Sequence, residues 1–235
     1  MTATSAKSRL FVALDMSDVK AAEAMVSRLG DEVSAYKIGL ELMFGGGIGL
    51  AQKLKRDGKS IFLDMKLLDI PNTVEKAVEN IGNLGVDFLT VHGTDRKTLD
   101  AAVMGRGSSR LKLLAVTVLT SLDALDLVEQ GINGTTPGKL VVRRALMAKA
   151  AGFDGVIASG QEAADVRAAV GPNFLIVTPG IRLKSGPDKD QARVVTPAVA
   201  IAAGATHLVV GRPITTAADP SAVARDVVTQ IAGQP

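Results

Sequence analysis

Eight short runs rich in apolar and β-branched residues recur along the chain, at Leu10–Leu14, Ala35–Gly39, Ser60–Asp64, Asp87–Val91, Lys112–Val118, Gly155–Ala158, Phe174–Val177 and Thr206–Val210, with helical stretches between them. Their starts lie 25, 25, 27, 25, 43, 19 and 32 residues apart, the span of a strand plus the helix that follows it. Runs such as Ile176-Val177 and Leu208-Val209-Val210 do not alternate with polar residues. Both faces of those strands are therefore covered, as in a parallel sheet. Eight such units in 235 residues predict an α/β chain folded as a single-domain (β/α)8 TIM barrel over 1–235, with 1–9 a short polar N-terminal tail. The doubly wound open sheet is the competing architecture. It loses ground because Asp15-Met16-Ser17 follows the first strand where a dinucleotide fold places G-x-G-x-x-G, and no G-x-x-x-x-G-K-[ST] occurs.

Helix punctuation agrees with this reading. Ser17 is a suitable N-cap for a helix carrying Val19, Ala22, Met25, Val26 and Leu29 on one face, with Gly30 at its end. Thr196-Pro197 and Asp219-Pro220 each set a capping side chain before a proline at the first helical position. Gly204 can end the first of these helices, and Val223, Val227 and Ile231 give the last one an apolar stripe.

Composition removes whole classes of function. There is no Cys and there are only two His, which excludes disulfides, thiolate metal sites, cysteine nucleophiles and a three-histidine metal centre. Apolar runs such as Leu113–Leu119, broken by Thr117, fall far short of the roughly 20 residues a membrane helix needs. The polar start Met1–Arg9 lacks a signal-type apolar core, so a cytoplasmic location is expected, with no membrane partner. The net charge of +3 and pI near 9.2 come without a basic stripe. With no Trp and one Tyr there is little on which a nucleic acid strand could stack, so a small anionic ligand suits the excess charge better.

Barrel active sites gather at the C-terminal ends of the strands, and ionisable residues are concentrated there. Asp15 follows strand 1, Lys37 lies on strand 2, Asp64 and Lys66 with Asp69 close strand 3, and His92 ends strand 4. Strand alternation puts Asp64 and Lys66 on one face, about 6.6 Å apart at Cα, with Met65 turned away. Simple ion pairing could account for any one of these pairs. It does not account for the cluster, because each buried ion costs several kcal/mol and few strand residues elsewhere are charged. An ammonium held between carboxylates can deliver a proton to a carbanion as a general acid. His92 reads as a hydrogen-bonded supporting residue rather than a catalyst, and His207 begins the eighth strand, far from it in sequence.

A second constellation ends strands 7 and 8. Thr178-Pro179-Gly180-Ile181-Arg182 and Gly211-Arg212-Pro213 place two glycine-opened backbones and two guanidinium forks where barrels commonly hold phosphate. Tight turns with solvated arginines are the plainer alternative. The polar stretch Leu183–Asp190 reads as a lid.

The segment Asp64-Met65-Lys66-Leu67-Leu68-Asp69-Ile70-Pro71-Asn72-Thr73 resembles the D-x-K-x-x-D-I-P-x-T signature of the orotidine 5′-phosphate decarboxylase family. Supporting pieces are Phe11–Asp15, Tyr36–Gly39, Val91–Gly93, Leu119–Ser121, Thr178–Arg182 and Val210–Ile214, so the likeness covers nearly the whole chain. The resemblance implies conversion of orotidine 5′-monophosphate to UMP and CO2, the last step of pyrimidine nucleotide synthesis, without metal or organic cofactor. It implies that Lys66 protonates C6, that Asp64 crowds the substrate carboxylate, that Lys37 holds Asp64 and a ribose hydroxyl, and that Asp15 binds the ribose. It further implies that Asp69 and Thr73 reach the neighbouring site of a homodimer and that Thr120 lies near the pyrimidine. Gln191 would bridge base and phosphate, while Arg182, Gly211 and Arg212 would hold the phosphate. The nearest rival is a Mg²⁺-dependent sugar-phosphate decarboxylase or aldolase of the same superfamily, against which Lys37 argues, since such relatives carry a Glu there. A non-catalytic nucleotide-binding barrel is the remaining alternative.

Overall fold

The computed structural model describes residues 5–183 and 195–233. Eight parallel strands close into a barrel in sequence order: β1 (Leu10–Ala13), β2 (Ala35–Gly39), β3 (Ser60–Leu67), β4 (Phe88–His92), β5 (Lys112–Val116), β6 (Gly155–Ile157), β7 (Leu175–Thr178) and β8 (His207–Val210). The expected strands are all present, and the doubly wound alternative is excluded by the β1–β8 pairing, Leu10 opposite Leu208 and Val12 opposite Val210.

Helices cover the outside. They are α1 (Val19–Leu29), α2 (Leu40–Leu42), α3 (Ile48–Arg56), α4 (Pro71–Asn83), α5 (Arg96–Arg106), α6 (Ala124–Glu129), α7 (Pro137–Ala151), α8 (Ala163–Val170), α9 (Pro197–Ala202), α10 (Arg212–Thr215) and α11 (Pro220–Ile231). A π-turn at Met43–Gly47 joins α2 to α3, and a 3-10 turn at Ala6–Arg9 precedes β1. The cap of α1 differs from expectation: Asp18, not Ser17, accepts from Ala21 N–H at 2.8 Å, because its carboxylate sits three residues before that donor. Thr196 and Asp219 cap α9 and α11 as the Thr-Pro and Asp-Pro pairs require. Among the described residues no helix is long and apolar enough to cross a membrane.

Two apolar layers follow from the two strand faces. Outward side chains such as Leu10, Val12, Tyr36, Ile61 and Leu89 pack under the helices. Inside the barrel, Phe11, Phe62 and Phe88 meet edge to face at centroid separations of 5.0–6.3 Å, with Ala13, Ala35, Leu114, Val177 and Val209 filling around them. Large rings interleave with small residues, so the lower barrel is filled rather than hollow.

The N-terminal end of the barrel is stapled by a recurring triplet. Gly85-Val86-Asp87, Gly152-Phe153-Asp154 and Gly204-Ala205-Thr206 precede β4, β6 and β8, each glycine at positive φ. The side chain of the third residue accepts from the N–H of the second residue of the preceding strand: Asp87 from Ile61 at 2.7 Å, Asp154 from Leu113 at 2.9 Å and Thr206 from Ile176 at 3.0 Å. Lys55 and Arg106 reach the two carboxylates from α3 and α5. The chemistry is thus left to the opposite end.

Candidate active site

At the C-terminal end of the strands a cavity of about 380 Å³ opens above the aromatic plug. Ala13, Phe62 and Val209 form its floor, and Asp15, Lys37, Asp64 and Lys66 stand along one wall. Four of the six residues in the sequence-predicted cluster are therefore brought together. Their order is a chain of alternating charge. Asp15 Oδ1 lies 2.8 Å from Lys37 Nζ, Lys37 Nζ lies 3.6 Å from Asp64 Oδ2, and Asp64 Oδ1 lies 2.8 Å from Lys66 Nζ. Side-chain exposure is 9% for Lys37, 16% for Asp64, 33% for Lys66 and 52% for Asp15. Burial pushes the Asp64 carboxyl up, but the charges of Lys37 and Lys66 and hydrogen bonds from Lys66 and Thr90 outweigh it, leaving Asp64 below the ordinary carboxylate value.

The backbone that delivers this geometry is not the regular strand expected. Between β3 and β4 the register passes from Leu63 opposite Leu89 to Leu67 opposite Val91, so β3 carries two surplus residues. Within this bulge Lys66 takes φ 50°, and it is the one non-glycine residue at positive φ among the described residues. A lysine in that region costs on the order of 1 kcal/mol. The expected pairing of Asp64 with Lys66, and the outward turn of Met65 into the helix-facing core, hold despite it.

Two features of this wall escaped the sequence reading. Thr90, fully buried on β4, accepts from Lys66 N–H and donates to Asp64 Oδ1, both at 2.9 Å. A threonine inside Phe88-Leu89-Thr90-Val91 was the visible signal, since a buried hydroxyl needs a partner. Gly39 ends β2 where a Cβ would lie 2.9 Å from Lys37 Nζ and 3.2 Å from Asp15 Oδ1. Any side chain there would press on the ion pair.

The strand 7 and 8 constellation borders the same cavity, beginning beside Asp15, whose Oδ2 would lie 3.9 Å from a Cβ at Gly211. Pro179, Gly180, Ile181 and Arg182 after β7, and Gly211, Arg212 and Pro213 after β8, line the same cavity, as does Thr120 after β5. Arg182 is tied to Val195 by its N–H at 3.1 Å, and Gly211 is the N-cap of the short α10. A short extra helix after the eighth strand is where barrels place a phosphate. Gln191 and the expected lid from 184 onward lie outside the described residues. Asp69 and Thr73 are exposed, do not line this cavity, and Asp69 accepts only from Ile70 N–H at 2.7 Å. His92 is half-buried beside the site, where burial and the neighbouring Lys66 and Arg144 charges lower its pKa.

Fold and site together define a (β/α)8-barrel enzyme whose cavity, at the mouth of the barrel, is lined by a chain of alternating charge and by two arginines. The family model for the orotidine 5′-phosphate decarboxylase / HUMPS family matches residues 8–227. Relatives named orotidine 5′-phosphate decarboxylase include one from a Bradyrhizobium species, 53% identical over 96% of this chain and 92% of its own length. Another, from Rhodopseudomonas palustris, is 52% identical over 97% of this chain and 96% of its own length. The crystal structure of orotidine 5′-phosphate decarboxylase from Lactobacillus acidophilus superposes with a TM-score of 0.82 at 37% identity, covering 94% of this chain and 98% of that one. This chain belongs to the orotidine 5′-phosphate decarboxylase / HUMPS family.

Proposed function

We propose that the chain decarboxylates orotidine 5′-monophosphate to UMP and CO2, with Lys66 donating the proton that replaces the carboxylate at C6. The observation that carries this reading is the Asp64–Lys66 pair on the wall of a cavity that Arg182 and Arg212 also line. Loss of CO2 from C6 leaves an electron pair in the plane of the ring, where the π system cannot delocalise it. The barrier must then fall through charge already in place, and the Lys66 ammonium supplies positive charge where the anion forms. Asp64, held ionised, crowds the departing carboxylate; Lys37 anchors Asp64 and reaches a ribose hydroxyl, and Asp15 takes the ribose. Thr120 borders the pyrimidine, while Arg182, Gly211 and Arg212 bind the phosphate, with Gln191 joining base to phosphate. Phosphate binding, remote from C6, supplies free energy that offsets the unfavourable contact at Asp64.

The chemistry proposed uses no metal or organic cofactor. Lys37 stands between Asp15 and Asp64, where a divalent ion would meet an ammonium rather than a third carboxylate. We further propose that the active species is a homodimer in which Asp69 and Thr73 reach the site of the partner subunit. Both are exposed and absent from their own cavity, and Leu68 and Ile70 beside them are exposed apolar residues. In the helical segment after β2, Leu40 of α2 and Ile48 of α3 are also exposed and Phe44 between them is 89% exposed, apolar surface suited to burial in an interface.

The test is the ultraviolet absorbance change of orotidine 5′-monophosphate with purified protein, with and without chelator. Turnover unaffected by chelator is expected, and Lys66→Ala should abolish it while UMP affinity stays within a modest factor. Turnover lost to chelator and restored by Mg²⁺ would instead favour the sugar-phosphate chemistry of the superfamily. UMP binding with no turnover would leave a binding protein. Retained activity in Lys66→Ala would remove Lys66 as the proton donor.

A further inference from the structure

The bulge in β3 raises a question that the charge array alone does not answer: what holds a lysine in left-handed backbone at the point where its side chain must be placed? Opposite the surplus residues stands Thr90, with no exposed surface. Its single hydroxyl does two things. It accepts from the Lys66 N–H at 2.9 Å, a group that the shifted register leaves without the regular ladder partner, and it donates to Asp64 Oδ1 at 2.9 Å. That same Oδ1 lies 2.8 Å from Lys66 Nζ. One hydroxyl thereby fixes the backbone of the lysine and the orientation of the carboxylate that the lysine touches.

We propose that Thr90 is a positioning residue for the reaction, setting the Lys66 backbone and the Asp64 carboxylate together through its hydroxyl. This rests on the decarboxylase reading given above. Valine at 90 fills the same volume but offers neither lone pair nor proton, and the buried site admits no ready replacement for either bond. The groups facing Asp64 are Lys37 from β2, Lys66 from β3 and Thr90 from β4, with Asp15 behind Lys37 and His92 beside Lys66. With the Thr90 donor gone, the carboxylate keeps both cations but loses one hydrogen bond to its charged form. Its pKa therefore rises.

The experiment compares Thr90→Val, Thr90→Ala and Thr90→Ser with the unaltered protein. Ala and Ser both lack the methyl group and differ only in the hydroxyl, so this pair isolates the hydroxyl even if the valine variant does not fold. Thr90→Val and Thr90→Ala should lower kcat by about tenfold or more, the effect of losing one hydrogen bond to a charged group. KM should stay within about twofold, and Thr90→Ser should recover most of kcat. Carboxyl carbon NMR should place the Asp64 titration higher in Thr90→Ala than in Thr90→Ser. A residue that only fills space would lower the melting temperature and move neither readout. Equal kcat in the Ala and Ser variants, in a protein that does turn over orotidine 5′-monophosphate, would overturn the inference. No turnover by the unaltered protein refutes the decarboxylase reading instead; the Asp64 titration then decides on Thr90, and its coincidence in Ala and Ser variants counts against the positioning role.

Discussion

Protonation of His207 should set how this barrel loses stability in mild acid. The ring is buried at the start of β8, stacked on Phe11 at 5.6 Å and edge-on to Phe88 at 5.7 Å. Its Nδ1 lies 3.0 Å from Thr206 Oγ1. Burial first, then the nearby Lys112 and Arg9 cations, lower its pKa from 6.5 to about 4. A histidine kept neutral in the folded state contributes its full stability above the unfolded pKa. As pH falls from about 6.5 to about 4 the unfolded chain takes up a proton that the folded one refuses, so stability is lost across that window and levels off below it. At 1.36 kcal/mol per unit the full loss is on the order of 3 kcal/mol, of which about 2 kcal/mol has developed by pH 5. Urea unfolding between about pH 7.5 and pH 5 would measure it, with His207→Phe as the non-titrating reference in a layer already built from phenylalanine. Carboxylate titrations common to both proteins cancel in the difference. The difference in unfolding free energy between the two should change by about 2 kcal/mol over that range, in favour of the variant at low pH. Parallel pH dependences in the two proteins would refute the reasoning.

Arg212→Ala should weaken binding of phosphorylated substrate far more than it lowers kcat, since Arg212 lines the cavity after β8 and belongs to none of the ion pairs of the Asp64–Lys66 wall; an unchanged KM in steady-state kinetics would sink the phosphate assignment. Ile70→Asp should place a charge in the exposed apolar patch beside Asp69 and yield a monomer with little activity. Sedimentation velocity at assay concentration checks this, and a fully active monomer would contradict the shared site.

Much of the barrel was legible because its signal is repetitive. A strand covered on both faces does not alternate regularly, and eight apolar-rich runs at βα spacing leave few closed arrangements. The staples at the lower end were equally repetitive, as Gly85-Val86-Asp87, Gly152-Phe153-Asp154 and Gly204-Ala205-Thr206, but a triplet carries no meaning until one knows that its third residue meets the strand before it. The charged residues of the mouth were legible as types at strand ends. The bulge at Lys66 was not, because alternation assumes an even ladder and the two surplus residues are defined only by the partner strand. Thr90 was hidden for the same reason: within one strand it is a small polar interruption, and its role exists only across the β3–β4 pair. Asp69 and Thr73 show the opposite limit. Their position in the D-x-K-x-x-D-I-P-x-T segment singles them out, yet neither lines the cavity that holds the charged cluster.

The two ends of the barrel also explain one another. The lower layer is aromatic and closed, with Phe11, Phe62 and Phe88 in contact and His207 held neutral against them. Charges resting on such a floor interact more strongly than they would in water, and each costs more to bury alone. Alternation of sign is the arrangement that meets both conditions. Lys37, the most buried of the four, has a carboxylate on either side, and Asp64, next in burial, has an ammonium on either side. Asp15 and Lys66, at the ends of the chain and the most exposed of the four, each have one ionic partner among the described residues. The two interior residues, Lys37 and Asp64, therefore hold the array together, while its two ends line the cavity with hydrogen-bonding capacity to spare. Those ends are the groups proposed to meet the ribose and to protonate C6, so the burial gradient along the wall separates what holds the site together from what acts on the substrate.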